Sequence, residues 1–140
     1  MAAEKVAASR IRWTLELNRD TAKAKVPLIV PSRPSFSASL NLGANVHKTP
    51  PKYEFSILLG GDRVAGLDIN PSGSHYNFVD GTRESVRITH WHTWPETNVE
   101  TDKRTLTFTR WLRAFCERYK VQLNGFDAPP HYGGEQGRLF

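Results

Sequence analysis

One periodicity dominates this chain: apolar or small residues recur at every second position, in several separate stretches. Ile11, Trp13, Leu15 and Leu17 alternate with Arg12, Thr14, Glu16 and Asn18, and Phe36, Ala38, Leu40, Leu42, Ala44 and Val46 repeat the pattern. Tyr53, Phe55, Ile57 and Leu59 do so again beyond Pro50-Pro51. Successive side chains of a strand point to opposite faces, so each stretch predicts a strand with one buried face. Gly60-Gly61-Asp62 is a tight-turn signal, after which Val64 to Ile69 returns as the next strand of a meander. The polar run from Asn70 to Thr82, with Pro71, Gly73 and Gly81, reads as a loop, and Val86 to Thr93 reads as a further strand. Val26, Leu28 and Val30 alternate too, but Pro27 and Pro31 lack an N–H and predict an edge or an irregular connection.

Helical spacing occurs once with conviction. Phe108, Trp111, Leu112, Phe115, Cys116 and Tyr119 recur at intervals of three and four, leaving Arg110, Arg113, Glu117 and Arg118 on the other side. Asp102 or Thr105 is the expected cap, and Asn124-Gly125 closes the region beyond it. Strands followed by one helix predict an α+β fold, a mainly antiparallel meander sheet with one face covered by a C-terminal amphipathic helix. The expected organisation is a flexible lead-in over 1–10, a single domain over 11–126, and a mobile tail over 127–140, where Pro129-Pro130, Gly133-Gly134 and Gly137 accumulate.

With 140 residues, 39% of them hydrophobic and 24% charged, the chain has the make-up of one folded globular domain. No apolar run approaches the about 20 residues that cross a bilayer, and no apolar signal core opens the chain, so the expectation is a cytoplasmic protein without a membrane partner. The single cysteine, Cys116, lies on the apolar stripe of the helix and reads as a buried core thiol. Nineteen Lys and Arg against 14 Asp and Glu give a net charge of +5, which favours acidic partners such as nucleic acid.

The chemistry is concentrated in Val86-Arg87-Ile88-Thr89-His90-Trp91-His92-Thr93. On a strand, His90 and His92 leave the same face, about 6.6 Å apart along the chain. The preceding segment offers His75, Asn77 and Asp80 as further polar groups. Neutral imidazoles at alternate strand positions, with a third histidine or a carboxylate, can hold a divalent metal. A pair of histidines can instead serve as general base and general acid when an RNA 2′-hydroxyl attacks its own phosphodiester. His90-Trp91-His92 followed by Glu96 has the spacing of a first cupin motif, but no second motif follows, so a cupin site is not expected; the expectation is no cofactor, with a metal-dependent enzyme as the third reading. Trp91 shares the opposite face with Arg87, and Trp94 follows the strand; aromatics and arginines on an exposed sheet can stack and pair with single-stranded nucleic acid.

From Tyr53 to Val121 the chain resembles a family of uncharacterised small bacterial and phage-borne proteins. The residues that carry the resemblance are Val64-Ala-Gly-Leu-Asp-Ile-Asn70, His75-Tyr-Asn77 with Asp80-Gly81, His90-Trp-His92, and the helix Phe108 to Tyr119. Phe78-Val79 interrupts the family's compact H-x-N-P-D-G loop, and Thr93-Trp94 replaces its tyrosine after the second histidine. The resemblance implies a mobile-element or phage-conflict setting. The leading functional expectation is a nucleic-acid-associated protein in which His75, His90 and His92 carry out metal-independent RNA cleavage. The alternative is a non-catalytic inhibitor or accessory subunit of a nucleoprotein complex that binds through Arg87, Trp94, Arg110 and Arg113.

Overall fold

The computed structural model describes residues 3–16, 20–45, 47, 51–70, 76–79, 82–85, 89–93 and 98–130. The strands are β1 (Lys5–Ala7), β2 (Thr14–Leu15), β3 (Thr21–Ile29), β4 (Ala38–Asn45), β5 (Lys52–Leu59), β6 (Asp62–Ile69), β7 (Tyr76–Val79), β8 (Thr82–Ser85), β9 (Thr89–Thr93), β10 (Asn98–Asp102) and β11 (Val121–Gln122). The helix α1 (Phe108–Arg118) lies between the last two. Nine strands form one sheet in the order β10-β9-β6-β5-β4-β3-β1-β11, with β2 paired to β3, and β7 and β8 form a separate hairpin. Among the described residues the strand pairings are antiparallel except β1 with β11, and an isolated parallel bridge joins Ile11 to Phe126.

This corrects the expected fold class. The fold is mostly β, a mixed nine-stranded sheet with a single helix, and not an α+β meander with a helix covering one face. The geometry explains the difference: the 11 residues of α1 span about 16 Å at about 1.5 Å each, whereas eight strands side by side extend about 35 Å. β1, β10 and β11 were not foreseen, β1 and β11 holding only three and two residues, and the β7–β8 hairpin lies across a segment expected to be a loop; of the strand expected from Ile11, only Thr14–Leu15 pairs as β2.

The long strands follow their alternation. In β3, Ala22, Ala24, Val26 and Leu28 are buried while Lys23, Lys25, Pro27 and Ile29 are exposed. Pro27 is tolerated in an interior strand because it lies just beyond the end of the β1 ladder, where no strand pairing uses its missing N–H. β2 pairs only with Lys23 and Ala22, β1 pairs only with Ile29 and Leu28, and between them the Pro27 carbonyl accepts from the Ala8 N–H at 2.9 Å. Gly60 and Gly61, with φ of 58° and 87°, turn β5 into β6 in a conformation that side chains with a Cβ disfavour.

On one face, Leu42, Phe55, Leu67 and Trp91 stand side by side across β4, β5, β6 and β9. Against this row α1 lays Phe108, Trp111, Leu112, Phe115 and Cys116. Phe115 stacks on Trp91 at 6.1 Å and meets Phe55 edge-on at 5.7 Å. The true helix cap is Thr107, whose Oγ1 accepts from the Arg110 N–H at 3.3 Å, so the cap lies two residues beyond Thr105. No helix among the described residues is long and apolar enough to cross a membrane.

Candidate metal centre

The other face of the same sheet carries two polar rows fixed by the register. One runs Lys23, Gly43, Glu54, Asp68, His90 and Thr101 from β3 to β10, and the next runs Lys25, Asn41, Ser56, Gly66, His92 and Val99. Asp68 and His90 are direct neighbours, and His92 lies opposite Gly66, diagonal to Asp68.

The result is a three-residue cluster. Nε2 of His90 lies 3.0 Å and Nε2 of His92 lies 3.3 Å from the same oxygen, Oδ2 of Asp68. The imidazole centroids are 4.4 Å apart with the rings inclined at 76°, so the edges that carry Nε2 converge while the faces do not stack. One ligand atom from each residue falls within a 4.8 Å sphere of mutual distances. The side chain of His90 is only 4% exposed, whereas His92 is 24% and Asp68 26% exposed, so the cluster opens to solvent on one side.

The two histidine–carboxylate separations are those of neighbouring ligands on one metal ion. Ligand bonds of about 2.1 Å place adjacent donor atoms about 3.0 Å apart in an octahedron and about 3.4 Å apart in a tetrahedron. Two imidazoles and one carboxylate would occupy one side of the ion and leave the open side to water or substrate.

The strand under the histidines is held from the core side. Trp91 is 4% exposed, its Nε1–H donates to Oδ2 of Asp102 at 3.1 Å, and the guanidinium of Arg118 lies 4.5 Å from its ring centroid. Arg104 grips Asp102 through Nε and Nη2, at 3.0 Å to Oδ1 and 2.7 Å to Oδ2. Hydrogen bonds from the Arg104 guanidinium, supported by that of Trp91, pull the Asp102 carboxyl down to a pKa of about 2. Trp91 is thereby fixed at both its ring face and its nitrogen, and the residues on either side of it inherit that orientation. The buried thiol of Cys116 is pushed up to about 12 by desolvation, so it stays protonated and inert.

No protein-family model, curated protein or solved structure matches the chain. The functional reading therefore rests on the arrangement of these residues.

Of the residues singled out from the sequence, His90 and His92 come together. Arg110 and Arg113 are exposed on α1, which packs on the Trp91 face, so the sheet separates them from the histidines. His75, Arg87 and Trp94 lie outside the described residues. Asp68 was missed as a site residue. It is a carboxylate on the polar side of an alternating strand, flanked by the buried Leu67 and Ile69, and that position was its one local signal.

Proposed function

We propose that the protein is a metal-dependent hydrolase in which Asp68, His90 and His92 hold one divalent transition metal ion. The observation that carries this reading is the convergence of two imidazole nitrogens on one carboxylate oxygen at 3.0 and 3.3 Å. Burial of His90 supports this reading over the metal-independent acid–base pair expected from the sequence. A general acid or base must reach the proton it transfers, and a side chain 4% exposed is poorly placed to touch a large substrate. A metal ligand needs no such access. Bound there, the ion would supply Lewis acidity and lower the pKa of a water held on its open side. His90 would hold the ion from the buried side, while Asp68 and His92 would border the solvent-facing opening.

The test pairs metal content with hydrolysis. Untagged protein reconstituted with Zn²⁺ or Mn²⁺ should retain about one ion per chain through gel filtration, and Asp68→Ala and His92→Ala should lose it while keeping the circular dichroism of the parent. Hydrolysis of a phosphodiester substrate should stop in chelator and return with metal. Cleavage that persists in chelator and survives Asp68→Ala would instead favour the metal-free histidine pair. Sub-stoichiometric metal in all three proteins would remove the centre.

A further inference from the structure

The two polar rows that pass through the histidines begin in a trough. It encloses about 540 Å³ across β2 to β6 and is bordered by Arg12, Lys23, Lys25 and Arg63, with Glu54 among its walls. Lys23 also meets Glu16 at 3.2 Å, an exposed pair that adds little attraction of its own. Four cations thus face one carboxylate inside the trough, and the local balance exceeds in density the +5 spread over the whole chain.

The floor of the trough explains its depth. Asn41, Gly43 and Ser56 are short, and a Cβ added at Gly43 would meet only Oε2 of Glu54, at 3.8 Å. Large side chains at these places would have filled the channel between the lysines and Glu54. From β3, which carries the lysines, to β9, which carries the histidines, there are four strand intervals, a distance of about 19 Å. The lysine end and the Asp68–His90–His92 end therefore lie on one face at a separation that an extended polyanion spans and a small anion does not.

We infer that this trough binds single-stranded nucleic acid through its phosphates and leads the strand toward the metal cluster. The direction of travel rests on the metal-centre reading, but the binding itself does not. Charge complementarity selects a polyanion, and a flexible single strand can bring successive phosphates to cations set along one sheet face. The trough has no aromatic side chain in its lining, so recognition comes from backbone contacts and not from base stacking. Binding should be insensitive to base sequence and steeply sensitive to salt.

Fluorescence anisotropy with short labelled polyuridine and polythymidine strands tests this, with chelator present throughout so that no metal contributes. Affinity should fall between about 50 and 200 mM salt with a log–log slope near −3, as about 0.7 per phosphate met by four cations requires. Lys23→Ala/Lys25→Ala should weaken binding about tenfold or more and bring the slope near −1.5, whereas Arg110→Ala/Arg113→Ala on the far side of the sheet should leave both unchanged. Unaltered affinity in the Lys23/Lys25 variant would overturn the proposal, and so would equal or tighter binding of a duplex or of heparin. Metal content of the same variant, measured in parallel, separates the two ideas: loss of strand binding with one ion retained supports both, whereas one ion retained with strand binding unchanged rejects the trough alone.

Discussion

The two faces of the central sheet are made by the same strands and obey opposite rules. On the α1 face, Phe55, Leu67, Trp91 and Phe115 interlock as rings and branched chains, and nearly every position is closed to water. On the far face the same strands present Gly43, Ser56 and Gly66 beside Lys25, Asp68 and His92, so space and charge take the place of packing. Stability is therefore concentrated on one side and chemistry on the other, and an alternating strand serves both without compromise. Substitutions should sort by face.

The largest effect is expected in the core. Phe115→Ala removes a ring in contact with Phe55, Trp91 and Tyr119 and should cost about 3–5 kcal/mol in chemical denaturation, while Lys25→Ala on the other face should change stability by less than about 0.5 kcal/mol. Similar losses from the two would break the division. On the polar face the response should appear only with metal. Zinc at about 100 times its Kd should raise the unfolding free energy by about 2.7 kcal/mol in the parent and not in Asp68→Asn. A smaller change belongs to the helix start, where Thr107→Ala should cost about 1 kcal/mol because the Arg110 N–H loses its acceptor.

The smallest effect is the acid response of Asp102. Its carboxyl is held lower in the folded state, at about 2, than in the unfolded chain, where it titrates at about 3.9. The folded state therefore binds fewer protons in that interval. The stabilisation is fully present above about pH 4 and is lost as the pH falls through about 2. Asp102→Asn should flatten the stability profile across that window; an unchanged profile would show that the Arg104 and Trp91 contacts carry no weight.

How much the sequence revealed followed from the length of each pattern. β4 alternates over eight residues, β5 carries apolar residues at every second position from Tyr53 to Leu59, β6 follows the Gly60-Gly61 turn, and α1 sustains its three-and-four spacing for three turns, so their positions were legible. The pair His90 and His92 was legible because a strand alone places them on one side. Asp68 was not, because its neighbourhood depends on β9 pairing with β6 across the intervening β7–β8 hairpin. That register is fixed by Leu67 meeting Trp91 in the core, a contact between distant segments that no local period announces. The fold class was misjudged for the same reason. Strands of two or three residues such as β1 and β11 acquire their identity only from the partner they pair with.

The account depends most on Asp68, His90 and His92 sharing one ion. Crystals of the protein grown with Zn²⁺ and measured at the zinc absorption edge should show a single anomalous peak on the polar face, about 2.1 Å from Nε2 of each histidine and from a carboxylate oxygen of Asp68. A peak bonded to only one of the three, or none at a zinc concentration that saturates the protein in solution, would contradict it.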